Sequence, residues 1–165
     1  MSMKVCEISD KREIAKAMEL VFDNFTKSEK QFYERPEWTY AKKSLVTYDV
    51  FNIDELERHI VSSKIKLFVV FDEEQIIAVS ALELDDGKIL FMSFSEREAG
   101  RLLVERMAEE LENMPEKRLV ILAFVGQEKS LVSLGFMRIN PSVFKFFGVK
   151  FIAMRYDYAQ IDIER

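Results

Sequence analysis

Between Ile65 and Phe94 the apolar residues fall into three short runs, Ile65–Phe71, Ile76–Leu84 and Lys88–Phe94, separated by Glu73-Glu74 and by Asp85-Asp86-Gly87. Runs of this length, rich in β-branched and aromatic residues and bounded by turn formers, predict strands, and turns this short predict an antiparallel meander. Elsewhere the period is helical. Ile14, Ala17, Met18, Val21, Phe22 and Phe25 share one helix face behind Ser9, an N-cap residue that follows the short strand Val5–Ile8. The aromatic segment with Phe32, Tyr33, Trp38, Tyr40 and Tyr48 contains Pro36, which is expected to break any helix there. A second helix is predicted from near Asp54, with Leu56, Ile60 and Val61. A longer helix after Phe94 buries Leu103, Met107, Leu111 and Met114, turns Arg106, Glu109, Glu110 and Glu112 to water, and stops at Pro115. Arg118–Val125 is continuously apolar, as a strand covered on both faces should be. A short helix Gln127–Leu134 closes at Gly135, and strands Phe136–Ile139 and Phe144–Tyr158 form a final hairpin. The resulting order is βα(α)βββαβαββ: an α/β (α+β) chain with a mixed, mostly antiparallel sheet flanked by helices.

Composition narrows the function classes. With 165 residues, 48% of them hydrophobic, and no repeat or linker, a single domain over 1–165 is expected. Cys6 is the only cysteine, so an intrachain disulfide is excluded, and a cytoplasmic setting with Cys6 as a small packed hydrophobe follows. No uncharged stretch nears membrane-spanning length, which argues against a membrane partner. The net charge of −5 argues against nucleic acid and suits a cationic partner. No Asp, Glu or His cluster has metal-ligand spacing, so no metal is expected, and His59 is a surface or core-edge residue.

The segment Ser95-Glu96-Arg97-Glu98-Ala99-Gly100 joins a strand to a helix, and the free N–H groups and dipole of such a helix start can bind an anion. The same residues spell a capping box. In that reading Ser95 accepts from the Glu98 N–H and the Glu98 carboxylate returns to the Ser95 N–H, which places a negative charge at the anion position. Both readings stand on the sequence.

The element order, Leu134-Gly135-Phe136 after the last helix and Ile152-Ala153-Met154-Arg155 in the last strand together resemble the GNAT superfamily of acyl-CoA N-acyltransferases. The resemblance implies a two-layer α/β domain whose sheet splays between Lys88–Phe94 and Arg118–Val125. Acetyl-CoA is the implied co-substrate, its pantetheine arm in the gap and its pyrophosphate on the helix start, so that Met92, Phe94, Ser95, Glu96, Arg97, Glu98, Ala99, Gly100 and Arg101 contact it. The family's loop has the form Arg/Gln-x-x-Gly-x-Gly/Ala. Two registers fit, one with Arg97 first and Gly100 at the glycine, the other with Ser95 first, Glu98 at the middle glycine and Gly100 last; the second keeps the apolar helix face in phase.

The resemblance further implies N-acetyl transfer by direct attack of a primary amine, with backbone N–H groups near Phe94 holding the oxyanion. The acceptor is an amine-bearing small molecule, a protein N-terminus or a lysine. The family's general-acid tyrosine falls on Leu131, and Ser130 and Ser133 are too weakly acidic to replace it. Glu83 is the candidate base; Asp86 reads as a solvated hairpin carboxylate and Lys88 stands where some members carry a glutamate. The aromatic segment from Phe32 either packs on the core or borders the acceptor groove. Tyr156 and Tyr158 beside Met154, and the Phe144–Phe151 stretch, either pack internally or form a homodimer seam. An alternative function is a GNAT-like domain that binds acyl-CoA as a sensor, or a protein partner, without transfer; a third is a relative whose donor is not CoA.

Overall fold

A computed structural model of the chain describes residues 2–47, 51–112 and 118–157. Its strands are β1 (Met3–Ile8), β2 (Ile65–Asp72), β3 (Gln75–Glu83), β4 (Lys88–Phe94), β5 (Arg118–Phe124), β6 (Met137–Phe146) and β7 (Val149–Asp157). Its helices are α1 (Lys11–Glu29), α2 (Arg35–Leu45), α3 (Ile53–Val61), α4 (Arg97–Glu110) and α5 (Glu128–Leu134), with single 3₁₀ turns at Lys30–Phe32 and Val125–Gln127. The strands form one sheet in the order β1-β2-β3-β4-β5-β7-β6, antiparallel throughout except for β4 and β5.

Strand alternation divides the sheet between two cores. Leu67, Val69, Val79, Ala81, Phe91 and Phe124 face α1, α2 and α3, whereas Phe68, Val70, Met92, Leu119, Ile121, Ile152 and Met154 face α4 and α5. The domain therefore has three layers, not the two that the sequence suggests. Both faces of the sheet are apolar, and each needs its own helical cover.

Several local expectations give way to tertiary structure. Pro36 does not break a helix but occupies the second position of α2, where its missing N–H would have had no intrahelical acceptor anyway. Asp10 rather than Ser9 stands at the N-cap of α1, without a side-chain cap bond. Asn52 caps α3, accepting from the Glu55 N–H at 3.1 Å. The last hairpin turns at Phe147-Gly148, not near Pro141, because these two residues take left-handed φ values of 52° and 79° and form the turn whose twist matches two paired strands. Asn140 and Pro141 instead lie in a bulge, where the ladder jumps from Arg138↔Met154 to Val143↔Ile152. Glu109 on α4 and Glu112 just beyond it are exposed as expected, but Arg106 and Glu110 are partly covered. Arg106 lies 5.0 Å over the Phe68 ring, and Glu110 accepts from it at 2.6 Å and from Lys66 at 2.9 Å. Tyr48, Met114, Pro115 and Tyr158 lie outside the described residues.

The aromatic segment supplies core rather than an open wall. Trp38 stacks on Phe25 at 5.2 Å, and Phe124 stands between Phe25 (4.8 Å), Phe51 (5.7 Å) and Phe151 (5.5 Å). Tyr33 packs at 5.6 Å from Trp38 and accepts from the Lys150 backbone N–H at 2.7 Å; burial pushes its hydroxyl up to about 12. Phe32 and Tyr40 stay exposed, Tyr40 against Gly148 at the hairpin turn. Tyr156 covers Phe136 at 5.2 Å, while Phe146 and Phe147 remain exposed. No helix among the described residues is long and apolar enough to cross a membrane.

Candidate functional site at the parted strands

The site originates in a ladder that stops early. Parallel pairing of β4 with β5 consists of Lys88↔Val120 and Ile89↔Ile121, whereas β5 pairs with β7 along its whole length, from Arg118↔Asp157 to Phe124↔Phe151. Beyond Ile89 the two strands diverge, as the sequence resemblance implied. Diverging strands leave backbone donors and acceptors without ladder partners, and these groups must be satisfied by something else.

A cavity of about 290 Å³ opens at the parted end. Helix α1 contributes Asn24, Lys27 and Ser28; the end of β4 contributes Ser93, Phe94 and the following Ser95; the turn into α5 contributes Gly126 and Gln127, and α5 itself Ser130. Asn24 donates to the Ser93 hydroxyl at 2.7 Å and so ties α1 to β4 across the opening. Gln127 spans the gap: its side-chain oxygen accepts from the Phe124 N–H at 3.2 Å, and its side-chain nitrogen donates to the Met92 carbonyl.

Behind the wall lies Glu29, fully buried. It continues the apolar stripe of α1 one turn past Phe25, so the helix itself carries the carboxylate into the core. The carboxylate accepts from the Gly126 N–H at 2.8 Å and from the Ser28 hydroxyl at 2.7 Å. Burial raises its pKa above the usual carboxylate range, and the two hydrogen bonds only partly oppose that shift. Gly126 is required here because a Cβ on it would stand 2.3 Å from the Glu29 carboxylate and 2.5 Å from the Ser28 carbonyl.

Helix α4 starts beside the cavity, and its start is not the capping box. Glu96 occupies the N-cap without a side-chain bond to the helix, and Glu98 turns outward to Arg101, with which it forms a two-point ion pair. The Arg101 guanidinium holds the exposed Glu98 carboxyl below the usual range and also reaches Glu105. Arg97 donates to the Ser133 carbonyl at 3.1 Å and links the helix start to α5. Among the described residues no side chain accepts from the first-turn N–H groups of α4, and of the two carboxylates there, Glu96 and Glu98, Glu98 is paired with Arg101. Ala99 and Gly100 are buried; a Cβ on Gly100 would meet the Phe94 ring at 2.7 Å and Leu134 at 3.0 Å.

The predicted residues therefore separate into two groups. Phe94 and Ser95 line the cavity, Met92 presents its carbonyl to the gap, and the segment from Glu96 to Arg101 forms the adjoining helix start. Glu83 lies elsewhere. It pairs with Lys88 at the closed end of β4, about 20 Å along the strand from Phe94. Burial and the neighbouring Asp86 raise its carboxyl pKa, but that end of the strand does not face the cavity. Leu131 is fully buried, and no tyrosine stands among the described residues of the cavity wall. Asn24, Lys27, Ser28, Glu29, Gly126 and Gln127 escape sequence reasoning. Two signals in the sequence point to them: Glu29 in phase with an apolar stripe, and Gly126-Gln127 closing an apolar strand.

No protein-family model matches the sequence, and no curated protein matches it. Solved structures do match the fold. The PaiA N-acetyltransferase of Thermoplasma acidophilum, in complex with coenzyme A, aligns at TM-score 0.70 and 15% identity over 96% of this chain and 100% of that one. A GCN5-related N-acetyltransferase of Rhodopseudomonas palustris aligns at TM-score 0.70 and 11% identity over 95% and 98%. The spermidine N-acetyltransferase of Vibrio cholerae, in complex with CoA and spermine, aligns at TM-score 0.57 and 16% identity over 95% and 96%. At these identities the likeness is one of fold.

Proposed function

We propose that this chain, which has the GNAT fold, is an acyl-CoA-dependent N-acetyltransferase that moves an acetyl group from acetyl-CoA to a primary amine by direct attack. One observation carries the proposal: the β4–β5 ladder ends at Ile89↔Ile121, and the opening leads to the uncapped start of α4. An extended, amide-rich ligand satisfies parted strands as a third strand would, and a pyrophosphate satisfies free N–H groups at a helix start. The coenzyme A in the Thermoplasma acidophilum and Vibrio cholerae structures supports the same ligand here.

In this reading the α4 start holds the pyrophosphate, with Gly100 letting the helix sit close on Phe94. The segment Met92–Phe94 holds the pantetheine arm. Backbone N–H groups near Phe94 and Ser95 polarise the thioester carbonyl. The amine nitrogen attacks the carbonyl carbon, the C–S bond breaks, and the CoA thiolate leaves; the ammonium proton passes to solvent. With Leu131 at the tyrosine position the thiolate departs without a general acid, so turnover is expected to be slower by the roughly 10² to 10⁴ that such an acid supplies. The acceptor is an amine-bearing small molecule, a protein N-terminus or a lysine, and the cytoplasm, where acetyl-CoA and a reduced Cys6 coexist, belongs to the same proposal.

Titration calorimetry with acetyl-CoA, CoA and ATP tests the cofactor. Micromolar binding that depends on the pantetheine portion supports the reading, and equal binding of ATP, or none of the three, sinks it. Thiol release in the presence of a panel of amines then separates transfer from a second reading, an acyl-CoA sensor, which the missing tyrosine favours. Replacing Glu98 by Gln should tighten CoA binding severalfold at low salt and much less at high salt, because it removes a screened negative charge from the first turn of α4. No change at low salt would place the pyrophosphate elsewhere.

A further inference from the structure

The gap between β4 and β5 is already bridged by a piece of peptide-like chemistry. The Gln127 side chain is a primary amide, and it engages one backbone group on each parted strand, accepting from the Phe124 N–H at 3.2 Å and donating to the Met92 carbonyl. Both contacts fit a single orientation of the amide, oxygen toward β5 and nitrogen toward β4. The turn that carries Gln127 is fixed one residue earlier, where the Gly126 N–H donates to the buried Glu29 at 2.8 Å. The backbone at Gln127 is thus anchored, and its side chain is the part free to move.

From this geometry we infer that Gln127 occupies the hydrogen-bonding seat of the amide-bearing arm and acts as an internal competitor that acyl-CoA displaces. The inference rests on the acyl-CoA reading above. An arm lying between the strands needs a donor for the Met92 carbonyl and an acceptor for the Phe124 N–H, and Gln127 now provides both. Gln127 also lines the cavity, so its side chain can rotate into that space without unwinding α5. While no ligand is bound, Gln127 satisfies the Met92 carbonyl and the Phe124 N–H. Binding exchanges the two bonds for equivalent ones and then costs the loss of the Gln127 contacts. Selectivity follows: a ligand without an amide-bearing arm does not compensate the Met92 and Phe124 groups, and the seat stays closed to it.

The test compares the full-length protein with Gln127→Ala and, as a second variant, Gln127→Ser, by calorimetric titration with CoA. Removing two competing hydrogen bonds is expected to tighten CoA binding about tenfold in both variants. In the unsubstituted protein, the Gln127 side-chain NH₂ should exchange its hydrogens faster once CoA saturates the site. Binding by the unsubstituted protein with equal or weaker binding by the folded variants, or an NH₂ that stays protected in the complex, overturns the inference and leaves the acyl-CoA reading intact. Absence of binding by all three proteins overturns both. Binding by the variants alone also overturns both, because CoA then fails to displace Gln127 from the unsubstituted protein.

Discussion

Replacing Glu29 by Ala is expected to lower unfolding stability by about 3 kcal/mol, whereas Glu29→Gln should keep the fold and raise stability at neutral pH. Alanine leaves the Gly126 N–H and the Ser28 hydroxyl without their acceptor and opens a void where α1 meets the turn into α5. Glutamine restores both contacts, since its oxygen accepts from Gly126 and its nitrogen donates to the serine oxygen, and it carries no charge to desolvate. The pH dependence has a definite sign. Burial raises the folded pKa of Glu29, so the folded chain holds this proton more tightly than the unfolded chain does. Its contribution to stability is full below the ordinary glutamate range and is lost as pH rises through that range to the raised folded value. Urea midpoints measured across pH should therefore show the parent protein falling relative to Glu29→Gln over that window. Parallel curves would mean that burial does not raise the Glu29 pKa.

Replacing Gly100 by Val is expected to weaken CoA binding by more than tenfold while changing stability by no more than about 2 kcal/mol. A Cβ at this position comes within 2.7 Å of two Phe94 ring carbons and 3.0 Å of Leu134. The ring has somewhere to go, because Phe94 lines the cavity, so the clash is relieved by filling the space that the ligand needs. Gly100→Ala should show the same direction with a smaller loss of binding, its stability partly offset by the better helix propensity of alanine. Circular dichroism and calorimetry on the same samples check both halves. Unchanged affinity in the folded Val variant would remove Phe94 from the binding site.

These two positions differ in how visible they were beforehand. Gly100 was found from the strand-to-helix segment and the family resemblance, since a glycine in the first turn of an amphipathic helix needs a local reason. Glu29 has no such motif around it, although its spacing from Phe25 puts it on the buried face of α1. The resemblance points to Glu83 because the family carries its base on the third or fourth strand, but the antiparallel register sets it at the closed end, opposite Lys88. The Ser95/Glu98 pair satisfied the letter pattern of a capping box. It does not form one because the helix begins two residues later than Ser95 and Arg101 draws the Glu98 carboxylate outward.

By itself the sequence determined what short-range physics controls. Short apolar runs with Asp-Gly and Glu-Glu turns made the β2–β4 meander, apolar stripes made α1 and α4, and Gly135 at φ 109° ended α5. Those elements and their order were enough to indicate the fold. Tertiary structure alone decided where β4 and β5 part, because pairing across residues 89 and 121 is set by how α4, α5 and the β6–β7 hairpin pack, and no local signal records it. It also decided that Gln127 and the Glu29–Gly126 contact meet at the opening, since hydrogen bonds between residues 97 positions apart in the chain exist only once the layers have closed. Local preference chooses the elements; long-range burial and the need to satisfy every backbone group choose the site.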